Sequence, residues 1–154
     1  MKQPQSACIC VTRMPKQRWR SRWARQHALT STSGLLWLTN TLQAALIVYF
    51  YPERMLTPGN APGAAEVKSQ AEARIGAMLD QLDAELARHG GPWFAGTRYS
   101  ALDAYVFTLC RWTRNFSSPA ARTRPQLGPY LQRMLARPAA LRVLSAEELA
   151  PPFV

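Results

Sequence analysis

The feature that most constrains this chain is the stretch Ala101 to Trp112, whose only charged residue before Arg111 is Asp103. A helix with so few charges has no polar face to give to water, so other helices must surround it. Its start is written locally. Ser100 and Asp103 stand three apart, the spacing of a capping box: the serine hydroxyl can accept from the Asp103 backbone N–H, and the carboxylate can reach back to the Ser100 N–H. Aspartate is a shorter variant of the usual glutamate, and its charge suits the positive end of the helix dipole. Upstream, Gly90-Gly91-Pro92 ends the preceding segment, Trp93 and Phe94 put two large aromatics on a short loop, and Gly96 permits one more turn.

The wrapping helices are legible on either side. Gly34 to Tyr51 is an uncharged run of 18 residues, stopped by Pro52. Its length approaches a membrane span and a basic segment precedes it, so a signal-anchor through 34–51 is one alternative. Thr39, Asn40, Thr41 and Gln43 oppose that reading, because unpaired polar groups are costly in lipid. The expectation is a buried core helix. Thr57 to Gly63 reads as a loop. From Ala64 to His89, Val67, Ala71, Ile75, Met78, Leu79, Leu82 and Leu86 form an apolar stripe. Glu66, Glu72, Asp80, Asp83 and Glu85 are assigned with Lys68, Arg74 and Arg88 to the solvent face, and Gly90 is the expected stop. His89, at a helix end, reads as a capping charge. Arg122 to Pro125 is a basic loop. Pro129 to Arg137 gives a short helix with Tyr130, Leu131, Met134 and Leu135 on one face. Pro138 starts the last helix, with Leu141, Val143, Leu144 and Leu149 apolar. No strand pattern and no internal repeat emerges. The fold class is all-α, a bundle of about five helices.

The chain has 154 residues and a formal net charge of +10, unevenly spread. Residues 1–33 carry seven positive side chains and no acid, and the other 121 hold twelve positive and nine acidic ones. The high pI therefore reports the head. Its Lys16 to Arg25 run interleaves arginines with Trp19 and Trp23, a pattern that suits phosphate backbones and bases, and it also resembles a targeting leader. A disordered tail or a misassigned start is the preferred reading, and the expectation is against nucleic acid and membrane as partners. Cys8, Cys10 and Cys110 form neither a disulfide framework nor a metal pattern, which points to unpaired thiols in a reducing compartment. There is no phosphate-binding loop, no dinucleotide fingerprint and no metalloprotease motif. Nothing pairs His27 or His89 with a serine or cysteine nucleophile, so no catalytic residue and no metal ligand is assigned.

Phe94-x-Gly96, Tyr99-Ser100-x-x-Asp103-Ala104-Tyr105 and Arg111-Trp112 together resemble the C-terminal helical domain of glutathione transferases. The run ending Tyr49-Phe50-Tyr51-Pro52-Glu53-Arg54 resembles that domain's first helix, and Tyr130 to Pro138 its penultimate helix. The resemblance covers about Gly34 to Leu149. It implies that Ser100 and Asp103 are structural, holding the central helix rather than acting as catalysts. With Tyr99 before the cap and Ala104 opposite, any hydrophobic staple is weak. It implies domain limits of 34–154 for the helical unit, after a head of 1–33 that shows no βαβ pattern where a thioredoxin-like, thiol-activating domain would stand. Complete family members join the glutathione thiolate to small apolar electrophiles. The helical domain lines the electrophile's site and binds no cofactor alone, glutathione being the co-substrate. The residues expected in that wall are Asn40, Tyr49, Phe50, Trp112 and Phe116. Further expectations are a cytoplasmic location and a homodimer, formed over the apolar face that a missing first domain would leave. The alternative within this resemblance is a non-catalytic helical interaction or dimerisation module.

Overall fold

A computed structural model describes residues 32–154; the basic head, with Cys8, Cys10, the Lys16–Arg25 run and His27, lies outside the described residues. Five helices follow in order: α1 (Thr32–Phe50), α2 (Ala61–His89), α3 (Ala101–Trp112), α4 (Leu127–Leu135) and α5 (Pro138–Ala146). Short 3₁₀ turns at Pro52–Met55 and Ala121–Thr123 link α1 to α2 and α3 to α4. No strand occurs among the described residues, only two isolated bridges in the Trp93–Arg98 loop. The all-α expectation holds.

The core is built where the apolar stripes predict it. Leu38, Leu42, Ala45, Leu46 and Tyr49 of α1 pack on Ala71, Ile75, Met78, Leu79, Leu82 and Leu86 of α2. Helix α3 fills the centre with Leu102, Val106, Phe107, Leu109 and Cys110, and α4 closes it with Leu127, Tyr130, Leu131 and Met134. Helix α1 is long and apolar enough to cross a membrane, yet its apolar stripe is spent on this core. It also holds a feature the sequence does not announce: Leu38–Gln43 winds as a π-helix. Such widened turns occur mostly as single turns inside α-helices and frequently at functional positions. Here the turn brings Thr39 and Gln43 to one partner, the Tyr105 hydroxyl, which donates to Gln43 Oε1 at 2.6 Å and lies 3.2 Å from Thr39 Oγ1.

Three expectations about boundaries and faces are corrected. Helix α2 starts at Ala61, not Ala64, because Asn60 Oδ1 accepts the Gly63 N–H at 3.0 Å and Pro62 sits in the first turn, where a missing N–H costs nothing. Its end is as expected, with Gly90 left-handed at φ 62°. Glu72 is buried rather than solvated, and the reason is a distant loop. Its carboxylate accepts the Ser118 N–H at 2.6 Å and the Ser117 hydroxyl at 3.0 Å. Helix α5 buries only Leu144, leaving Leu141 and Val143 exposed, so its expected apolar face is mostly bare.

Arg124, expected in a solvated basic loop, ties α2 to the segment after α3. Its guanidinium donates to Asp80 Oδ1 at 2.8 Å, to the Gly76 carbonyl at 2.9 Å and to the Pro119 carbonyl at 2.8 Å.

Candidate functional site

The α3 N-terminus is the best-satisfied polar centre in the described chain. Asp103 is fully buried. Its Oδ2 accepts the Ser100 N–H at 2.8 Å and the Ser100 hydroxyl at 3.0 Å, and its Oδ1 accepts the Phe94 N–H at 2.9 Å. The capping box therefore forms and gains a third strand of control, the Phe94 backbone. Gly96 at φ 82° lets that loop double back, with Trp93 and Gly96 exchanging backbone hydrogen bonds of 3.1 and 2.9 Å. The turn drops the fully buried Phe94 ring edge-on to Tyr130, centroids 5.1 Å apart. Tyr130 donates its hydroxyl to the Asp103 carbonyl at 3.0 Å. Burial, and then the charge of Asp103, push the Tyr130 phenol well above its ordinary value, so it stays a neutral donor. Every group here is bonded to a neighbour of the same fold. That is the signature of a structural knot, and none of it faces open space.

The aromatic residues expected in a ligand wall meet at the other end of α3. Tyr49 stacks on Phe116 with centroids 4.1 Å apart and planes tilted 32°. Phe50 stands edge-on to Tyr49 at 5.2 Å and to Trp112 at 6.3 Å. The four rings thus form one continuous cluster joining the end of α1 to the exit of α3, with Tyr49 buried, Trp112 and Phe116 partly buried and Phe50 open to solvent. Asn40 is not in it. It lies exposed on the π turn, nine residues before Tyr49, roughly 13 Å away along a helix.

Two charged groups that the sequence hides complete the cluster. The Lys68 ammonium sits 4.8 Å from the Tyr49 ring centroid. Glu72, through Ser117 and Ser118, fixes the loop that carries Phe116. Burial alone would push Glu72 up, but the Ser118 and Ser117 hydrogen bonds outweigh it and hold the carboxyl below its ordinary value. Burial first, and the Glu72 charge second, raise the Tyr49 phenol. The cluster is therefore a rigid, neutral aromatic surface flanked by a fixed anion and a cation. It suits binding of a planar apolar body. Cys110, beneath it in the core, is no nucleophile: burial raises its thiol to about 12, so the thiolate is unpopulated at neutral pH. Among the described residues no group of three or more His, Cys, Asp or Glu could hold a metal ion.

With this geometry established, comparison with known proteins decides the family. A family model described as the glutathione S-transferase C-terminal domain matches residues 39–138, well over half of the chain. The chain belongs to the glutathione S-transferase family. The family's C-terminal domain is all-helical, as found here, and the family uses glutathione as co-substrate. A tetrachloro-p-hydroquinone reductive dehalogenase of Sphingobium chlorophenolicum is 36% identical over 86 residues, which is 55% of this chain and 34% of the relative. The chain thus spans about a third of the length of that curated relative. No solved structure matches it significantly. The match runs from the π turn of α1 to the first residue of α5, so it contains both the Asp103 knot and the four-ring cluster.

Proposed function

We propose that this chain supplies the helical substrate-binding domain of a glutathione-transferase-type protein, its 34–154 unit presenting Tyr49, Phe50, Trp112 and Phe116 to a small apolar electrophile. The observation that carries the reading is the meeting of those four rings at the exit of α3. Asn40 belongs to the reading only as an outer contact. The name of the Sphingobium relative suggests the substrate class, a halogenated aromatic ring, and a planar ring fits between stacked aromatics. Glutathione is the co-substrate on this reading, the compartment is the cytoplasm, and thiol activation belongs to residues other than those described. The test is conjugation of a chlorodinitrobenzene with glutathione by the full chain, with binding of the same arene followed by tryptophan fluorescence. Arene binding lost in Trp112→Ala and Phe116→Ala supports the wall. Unchanged binding in both variants removes it.

A specific observation favours a second reading, a non-catalytic interaction module. Leu36, Ile47, Phe50, Tyr51 and Met55 are exposed large hydrophobics along and just after α1. A homodimer over this face would cover them. Sedimentation showing a stable monomer at micromolar concentration contradicts the dimer. The core stripe of α1 favours a packed helix over an anchor, and retention in the membrane fraction after carbonate extraction would reverse that choice.

A further inference from the structure

On the far side of Trp112 from Phe50, α3 and α5 enclose a cavity of about 400 Å³. That size falls in the range of small-molecule sites. Its walls are largely apolar, from Phe107, Trp112, Met134, Val143 and Leu144, with Arg111 set among them. Arg111 is the anomaly. Its Nε is buried without a hydrogen-bond partner, and the side chain makes no ion pair among the described residues. A buried guanidinium N–H without an acceptor is rare enough to need a cause. Glu147 also lines the cavity, yet it does not pair with Arg111. Burial first, and the nearby Arg114 charge second, hold the Arg111 guanidinium below its usual range, so an anion delivered here would relieve both. Arg137, at the rim, lies 3.7 Å from the Tyr99 ring centroid and adds a second positive charge.

We propose that this cavity binds an amphipathic monocarboxylate, the carboxylate bonded by the Arg111 guanidinium and the apolar body seated against Phe107, Met134, Val143 and Leu144. The planar fork of arginine matches a carboxylate with two parallel N–H donors, which a lysine cannot reproduce. One fork position is already pre-set and desolvated at Nε. Access comes from α5, which holds to the body through Leu144 while Val143 stays 60% exposed. The site does not depend on the transferase reading, because neither glutathione nor a reacting electrophile takes part.

The test is calorimetric titration of the full chain with decanoate, below its micellar concentration, and with decan-1-ol as the uncharged twin. Decanoate binds at one site, at least about tenfold tighter than decanol, a factor within reach of one charge-assisted hydrogen bond. Arg111→Gln abolishes that advantage and leaves decanol within about twofold. Val143→Trp, a change at an exposed lining position, fills the space and weakens both ligands. Glu147→Gln leaves decanoate as tight or tighter, because it removes a competing acid. Equal affinity for decanoate and decanol in the wild type overturns the proposal. So does unchanged decanoate binding in Arg111→Gln or in Val143→Trp. An Arg111→Gln chain that cannot fold overturns it as well, since the arginine would then be structural.

Discussion

The two ends of α3 solve opposite problems. At the N-terminus, Asp103 is fully buried and bonded to the Phe94 N–H, the Ser100 N–H and the Ser100 hydroxyl. At the C-terminus, Arg111 keeps a buried Nε with no partner, beside a cavity and a helix that buries one residue. A buried charge that is fully hydrogen-bonded holds the fold together, and removing it strands its partners. A buried polar atom with no partner is held in place by the rest of the fold and left available to something else. The contrast separates the part of this helix that makes the domain from the part that meets ligands.

The largest expected effect falls on the knot. Asp103→Ala leaves three donors without acceptors, each costing about 1–3 kcal/mol when buried. A loss of about 4 kcal/mol is expected by urea unfolding, enough to unfold much of a marginal domain. A loss under 1 kcal/mol would break the comparison at its strong end. Next comes Arg124→Met, which removes the donors to Asp80, Gly76 and Pro119. About 2 kcal/mol is expected in the same assay, because two freed carbonyls lose charge-assisted bonds.

Glu72 sharpens the comparison through pH. Its folded pKa lies below the ordinary carboxylate value, so its contribution is fully present above the unfolded pKa of about 4.3 and is lost as pH falls through the folded value. The stability difference between wild type and Glu72→Gln, followed by urea unfolding from pH 7 to pH 3, should be level above about pH 5 and shrink below it. A difference that grows on acidification contradicts the bonding seen at Ser117 and Ser118. The smallest expected effect is Arg111→Met, within about 0.5 kcal/mol of wild type, since no protein partner is lost.

The Asp103 knot was half legible in the sequence. Ser100 and Asp103 are three apart, and a local hydrogen bond needs only local spacing. The Phe94 and Tyr130 partners were visible as residue types, but their approach depends on the fold. Glu72 read as a solvated face because its partner Ser117 lies 45 residues on. Arg124 read as a loop charge for the same reason, its Asp80 partner lying 44 residues back. The π turn of α1 carries no local signal: its Tyr105 partner lies 66 residues from Thr39. The four rings were nameable from their places at the ends of two helices, and Asn40 failed to join them because it sits more than two turns earlier. The cavity needed α5, whose apolar residues suggested a buried face that the structure leaves largely open.

The most direct measurement of the central claim is urea unfolding of Asp103→Asn and Arg111→Met side by side with wild type. Asparagine keeps the shape but replaces an acceptor with a donor facing the Phe94 or Ser100 N–H. The account predicts a loss of about 2–3 kcal/mol for Asp103→Asn and a change near zero for Arg111→Met. Equal losses in the two variants, or a larger loss for Arg111→Met, would contradict the division of α3 into a folding end and a ligand end.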